Sequence, residues 1–180
     1  MQENSQIELY VTVGDDQQNA ALEEMLASLN LDAVVNSTLH QVAVTQQVML
    51  TLLVTDDAGI QEMNTHYRQQ DKPTDVLSFP LLEAPLVDAP ADQLWHPQEQ
   101  NTPTFVTPPE MVMNLGDIVM SWPAILRQAQ DAEHAPAYEL LYLLSHGVLH
   151  LVGYDDQTEA GYQAMIRIQQ TVLQEVGQET

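Results

Sequence analysis

The chain has 180 residues, 44% of them hydrophobic, which fits one globular domain with a sizeable core. Four Lys and Arg side chains stand against 26 Asp and Glu, a formal charge of −22, so most of the surface repels a phosphate backbone and excludes binding of nucleic acid through a broad basic patch. The absence of cysteine removes disulfides and thiolate ligands together, and MQENSQIELY has neither a basic start nor an apolar run; with no stretch near the roughly 20 apolar residues of a membrane span, a cytoplasmic protein with no membrane partner is expected.

In chain order, Ile7, Leu9, Val11 and Val13 alternate with Glu8, Tyr10 and Thr12, the period-two pattern of a half-buried strand. Asp15 or Asp16 then caps a helix with a core stripe through Leu22, Met25, Leu26 and Leu29. Residues from Asn30 to Gln47 read equally as a helix or an irregular connection. Met49 to Val54 is a buried strand ended by Asp56 and Asp57, and a short helix follows with Ile60, Met63 and Tyr67 inward and Arg68 near its end. Pro73 and Pro80 bracket a strand, Asp75 to Phe79, whose prolines suit a sheet edge. Residues 81–112 form one long proline-rich surface loop with no sign of chemistry, and His96 in it is a solvent-exposed bystander. Asn114 to Ser121 is another strand, with Asp117 structural. Ser121 caps a helix with Pro123 in its first turn and Ile125 and Leu126 inward; His134 lies in a linker.

Pro136 opens a helix to about Val152, and in SHGVLHLVGYDD, Ser145 to Asp156, it carries His146 and His150 four residues apart. On an α-helix that spacing puts both imidazoles on one face about 6 Å apart along the axis, a metal-binding distance. Gly153 lets the chain reverse, so that Asp155 or Asp156 can swing back as a third ligand and leave a fourth position open, as catalytic zinc sites do. A final helix through Tyr162, Met165, Ile166, Gln169, Val172, Leu173 and Val176 ends at Gly177 and serves packing.

HGVLHLVGYDD resembles the HGxLHLxGYDH signature of the YbeY family of bacterial endoribonucleases, and Met63 to Pro80, MNTHYRQQDKPTDVLSFP, resembles the family's second signature. The elements in order give an α+β layout, a small mixed sheet of about four strands with helices packed over one face and the metal helix central, and the zincin-like fold of the family that the chain resembles agrees with that. The resemblance implies a zinc-dependent, single-strand-specific endoribonuclease that matures the 3′ end of small-subunit ribosomal RNA during ribosome biogenesis. One zinc ion per chain would sit on His146, His150 and Asp156, the last standing where the family has a third histidine. His146 and Arg68 would serve catalysis, with the Arg68 guanidinium steadying the phosphate. Ribosomal RNA and the small ribosomal subunit would be the partners. The acidity either serves solubility alone or means that RNA reaches the site with Mg²⁺ screening or through a partner protein.

Two other functions fit the spacing. A metallopeptidase of the HExxHxxGxxH type shares it, but needs a Glu as general base where this chain has Gly147, a residue that would instead leave room beside the metal. A non-catalytic, zinc-stabilised ribosome-assembly factor would use the ion only to tie the helix to its turn.

Overall fold

The computed structural model describes residues 5–69, 74–97 and 111–178, the side chains of Arg68 and Gln178 excepted. Four strands form one mixed sheet in the order β1-β2-β4-β3, where β1 is Ser5–Thr12, β2 Val48–Thr55, β3 Val76–Pro80 and β4 Met113–Ser121. β1 pairs parallel with β2 and β2 with β4, while β3 runs antiparallel to β4 on the outer edge. An edge place suits β3, because Pro80 has no N–H to give a further neighbour.

Alternation along the strands sorts the core into two layers. Leu50, Leu52 and Val54 of β2 and Ile118 and Met120 of β4 face the main core, together with the inward sides of α1 (Asp16–Ala27), α2 (Leu31–Gln41), α5 (Pro136–Val152) and α6 (Glu159–Gln178). Leu53, Leu77 and Val119 point the other way and pack beneath α3 (Asp57–Arg68) with Ile60. Helices therefore cover both faces rather than one, five on the first when α4 (Trp122–Ala132) is counted through Ile125. The expected α+β layout with four strands otherwise holds.

Local signals explain the element ends. Asp15 caps α1 in a reciprocal box with Gln18, Asp56 caps α3 through Gly59 N at 2.7 Å, and Ser121 caps α4 through Ala124 N at 3.3 Å. The ambiguous stretch after Asn30 is helical as α2, because Val34, Val35, Thr38 and Leu39 recur at helical spacing and all are buried.

Three residues expected inside are outside. Tyr67 is 65% exposed, Tyr162 46% and Leu126 42%. On α3 the inward face turns toward Asn64, which is buried, and Tyr67 is left over the sheet edge with its ring 5.3 Å from that of Phe79. On α4 the neighbouring Ile125 takes the inward place, and on α6 it is Met165 one turn on.

α5 is the central helix. Leu140, Leu143, Leu144, Gly147, Val148, Leu149, Leu151 and Val152 bury most of its circumference, each full-size aliphatic side chain contributing on the order of 2 kcal/mol of transfer free energy. What stays accessible in its second half is the narrow line through Tyr142, His146 and His150.

Candidate metal centre

The end of α5 is built by two segments far apart in sequence. A helix leaves its last four carbonyls without partners in the helix, and here the chain from Leu86 to Trp95 supplies donors to two of them, and to the carbonyl of the capping Gly153. Leu86 N and Val87 N donate to Val152 O at 2.8 and 3.3 Å, Trp95 N donates to Gly153 O at 2.9 Å, and the Trp95 indole Nε1 donates to His150 O at 2.8 Å. Residues 81–97 are thus not a plain surface loop: they strap the helix end, with Val87 buried and a 3-10 turn at Ala91–Gln93, while His96 is exposed as expected. Residues 98–110 of the expected loop lie outside the described residues. Extended, proline-rich backbone has N–H groups not engaged in its own ladder, which makes it a suitable donor strip.

Gly153 makes the reversal. Its φ is 137°, and a Cβ there would meet Pro85 Cβ at 2.6 Å, so both the conformation and the strap require glycine. Tyr154 N then donates to Leu149 O at 2.9 Å and Asp155 N to Gln93 O at 3.0 Å, which turns Asp156 back over the helix.

His146 Nε2 and His150 Nε2 are 3.0 Å apart, and Asp156 Oδ2 is 3.7 Å from each. This is the group of His, Asp and Glu among the described residues that could hold a metal ion, its three donor atoms lying within 4.8 Å of one another. Donors at ~2.0–2.2 Å from a tetrahedral zinc would be about 3.3–3.6 Å apart, and the three separations bracket that value. Asp155, the rival third ligand, instead accepts from Gln157 N at 3.2 Å and belongs to the turn.

The outer nitrogens are held as metal-binding imidazoles need. His150 Nδ1 lies 2.9 Å from Tyr154 O, and His146 Nδ1 lies 3.3 Å from Gln169 Oε1. A carbonyl oxygen only accepts, so each Nδ1 carries the proton and each Nε2 lone pair is left facing the centre. Two lone pairs and a carboxylate converging on one point repel each other unless a cation lies among them, or a proton on one nitrogen bridges to the others. The donor set therefore fits a metal ion.

Electrostatics agree with the geometry. Burial, and then the neighbouring His150, hold the His146 pKa below its ordinary value, which keeps it neutral and able to donate its lone pair. The neighbouring His150 imidazole takes the Asp156 carboxyl down to about 2 against the opposing effect of burial, so it is ionised at neutral pH.

Gln169 is the residue that pattern reading assigned to packing alone. It is 1% exposed, and its amide Nε2 donates to Tyr142 O at 3.2 Å, which fixes the flip that presents Oε1 to His146. A buried polar residue on an otherwise apolar helical stripe was the available signal. Partners of metal-bound histidines typically change affinity by about 10–100-fold when lost. Gln169→Leu is accordingly expected to weaken metal binding by about tenfold, read by competition with a chromophoric chelator, with the helical circular dichroism unchanged.

Gly147 does not open space beside the histidines. It faces the sheet, where an added Cβ would lie 2.8 Å from Ile118 Cδ1 and 3.0 Å from Cγ2. A glutamate base has no room at that position, which removes the peptidase constellation. Asp117 is exposed on β4, with no place in the centre. Arg68 is the last residue of α3, beside Tyr67 and hence at the β3 edge of the sheet; its side chain lies outside the described residues. β3 in turn runs next to α5.

A family model described as Endoribonuclease YbeY matches residues 10–177. The Endoribonuclease YbeY of Roseiflexus sp. (strain RS-1) is 36% identical over 148 residues, 82% of each chain. That of Moorella thermoacetica is 41% identical over 155 residues, covering 86% of this chain and 88% of its own. A Thermotoga maritima protein solved in solution superposes with a TM-score of 0.52 over 97% of this chain and 91% of its own; at 23% identity it shows a shared fold.

Proposed function

Because the chain belongs to the endoribonuclease YbeY family, we propose that it is a zinc-dependent endoribonuclease that cuts single-stranded RNA in the maturation of the small-subunit ribosomal RNA 3′ end. The observation behind this reading is the convergence of two imidazole lone pairs and one carboxylate on the accessible line of α5. His146, His150 and Asp156 would hold the ion, which supplies Lewis acidity toward a phosphodiester when bound. Gln169 and the Tyr154 carbonyl fix the ring orientations, so the donors are in place before substrate arrives. Arg68 would supply a guanidinium to a phosphate that gains negative charge in the transition state.

Among the described residues no helix is long and apolar enough to cross a membrane, and we place the activity in the cytoplasm with the small ribosomal subunit as partner. The net charge of −22 supports a requirement for Mg²⁺ or a partner protein to bring RNA to the site.

The test is cleavage of an unstructured RNA by the purified chain before chelation, after it, and after zinc is restored. Activity lost and regained with zinc is expected; cleavage indifferent to chelation would overturn zinc dependence. In the same assay Arg68→Ala is expected to cut the rate by roughly two to three orders of magnitude at unchanged zinc content, the usual effect of losing one transition-state donor. An unchanged rate would return Arg68 to the solvated surface. No cleavage by the zinc-loaded wild type would leave the ion a structural tie in an assembly factor.

A further inference from the structure

The accessible line of α5 does not stop at the histidines. Tyr138, Tyr142, His146 and His150 follow one another every fourth residue, so their side chains stand on one helical face about 6 Å apart along the axis. The ring of His134, in the turn before α5, lies 4.7 Å from that of Tyr138, and the rings of Tyr138 and Tyr142 are parallel to within 13° with centroids 6.4 Å apart. Tyr138 is 40% exposed, and among the described residues neither tyrosine hydroxyl has a hydrogen-bond partner. Tyr142 packs in part against the main core and Tyr138 stands clear of it, while the fully inward residues of the same turns are Leu140, Leu143 and Leu144.

We propose that Tyr138 and Tyr142, with His134 before them, form a stacking track for the bases of single-stranded RNA that leads directly onto the metal centre. This rests on the endoribonuclease reading and names how the substrate is held. Three features single out this occupant. The track is continuous with His146 on the same helix face, so a strand lying along it delivers a phosphodiester to the ion. The two tyrosine rings are nearly parallel, as successive bases of a strand are, so both can be covered by the same stack.

The third feature is charge. The described surroundings of the track are acidic, Glu139 on α5 and Asp75 before β3 being close enough to influence each other. Arg127 is held by both carboxylate oxygens of Asp57 at 2.9 and 3.1 Å and is not free to meet a phosphate. With four basic residues in the chain, phosphate neutralisation supplies little, and stacking, which every base permits, is the interaction left to hold a strand. Unpaired bases are needed for it, so the track also selects single strands over duplex.

The experiment titrates the full-length, zinc-loaded chain against a short fluorescent 2′-O-methyl oligoribonucleotide in the presence of Mg²⁺, following anisotropy. Tyr138→Leu and Tyr142→Leu are each expected to weaken binding by about tenfold, while Tyr138→Phe and Tyr142→Phe bind as the wild type does. An abasic oligomer with the same phosphates should bind wild type and leucine variants alike. Leucine variants that bind as tightly as wild type, phenylalanine variants that fail equally, or an abasic oligomer that shows the same loss would each overturn the track. The parent reading fails separately: ring-dependent binding with no RNA cut would sink the endoribonuclease and keep the track, whereas normal cutting with ring-independent binding would sink the track alone.

Discussion

Replacing His146 with alanine is expected to take zinc from one ion per chain to none and to lower RNA cleavage by about a thousandfold or more. Nε2 of His146 is one of three converging donors, 3.0 Å from its neighbour imidazole, and its removal leaves a single histidine and a partly exposed carboxylate. Two donors do not make a zinc site that survives dilution. Lewis acidity is worth several kcal/mol at a transferring phosphoryl group, and ~4 kcal/mol is about three orders of magnitude in rate. Elemental analysis of the variant, beside its rate on unstructured RNA, decides the matter. A variant still loaded with zinc would mean that the ion lies elsewhere in the chain.

The two adjacent aspartates should differ sharply. Asp156→Ala is expected to weaken zinc binding by a hundredfold or so, and Asp155→Ala by less than about threefold. Asp156 Oδ2 is 3.7 Å from both Nε2 atoms, while the Asp155 carboxylate is committed to Gln157 N. The Asp156 carboxylate is also held in its charged form. The neighbouring His150 imidazole depresses the Asp156 pKa to about 2, below the ordinary 3.8. Its stabilising contribution is therefore complete above about pH 4 and is lost as the pH falls toward 2. Asp156→His should keep the metal, since imidazole is an equally good zinc ligand. Equal affinities for wild type and Asp156→Ala, measured by chelator competition, would remove the carboxylate from the ligand set.

Much of the site was legible because its determinants are local. Pro136 and Gly153 bound α5 where the sequence puts its ends, and the spacing of His146 and His150 is itself a statement about a helix face. The strands were legible for the same reason: alternation over a few residues fixes which side chains are buried. What depends on distant partners was not. The choice between Asp155 and Asp156 is made by Gln93, whose carbonyl takes the Asp155 amide, and nothing within SHGVLHLVGYDD encodes that. Gln169 reads as one position of an apolar stripe until its amide is seen between Tyr142 O and His146 Nδ1. Gly147 reads as space beside a metal until the helix is rotated against β4 and Ile118 fills it. Tyr67, Leu126 and Tyr162 fit helical periodicity as well as their buried neighbours do, and only the rotation of each helix about its axis separates them.

The strap across the end of α5 makes two stretches some fifty residues apart a single opening unit. Leu86, Val87 and Trp95 give their amides to α5 and its C-cap, and Trp95 gives its indole N–H to the carbonyl of His150 itself. Breaking them together would leave Val152 O and Gly153 O without a protein donor and His150 O with only the long bond from Gly153 N. Proline-rich chain of this kind ordinarily opens independently of the core, on the low-stability end of a protein's local fluctuations. Here four donors tie the segment to the end of the helix, so a stretch with little regular structure of its own shares in the stability of the most deeply packed helix, and lends it back as fixed positions for the two histidines.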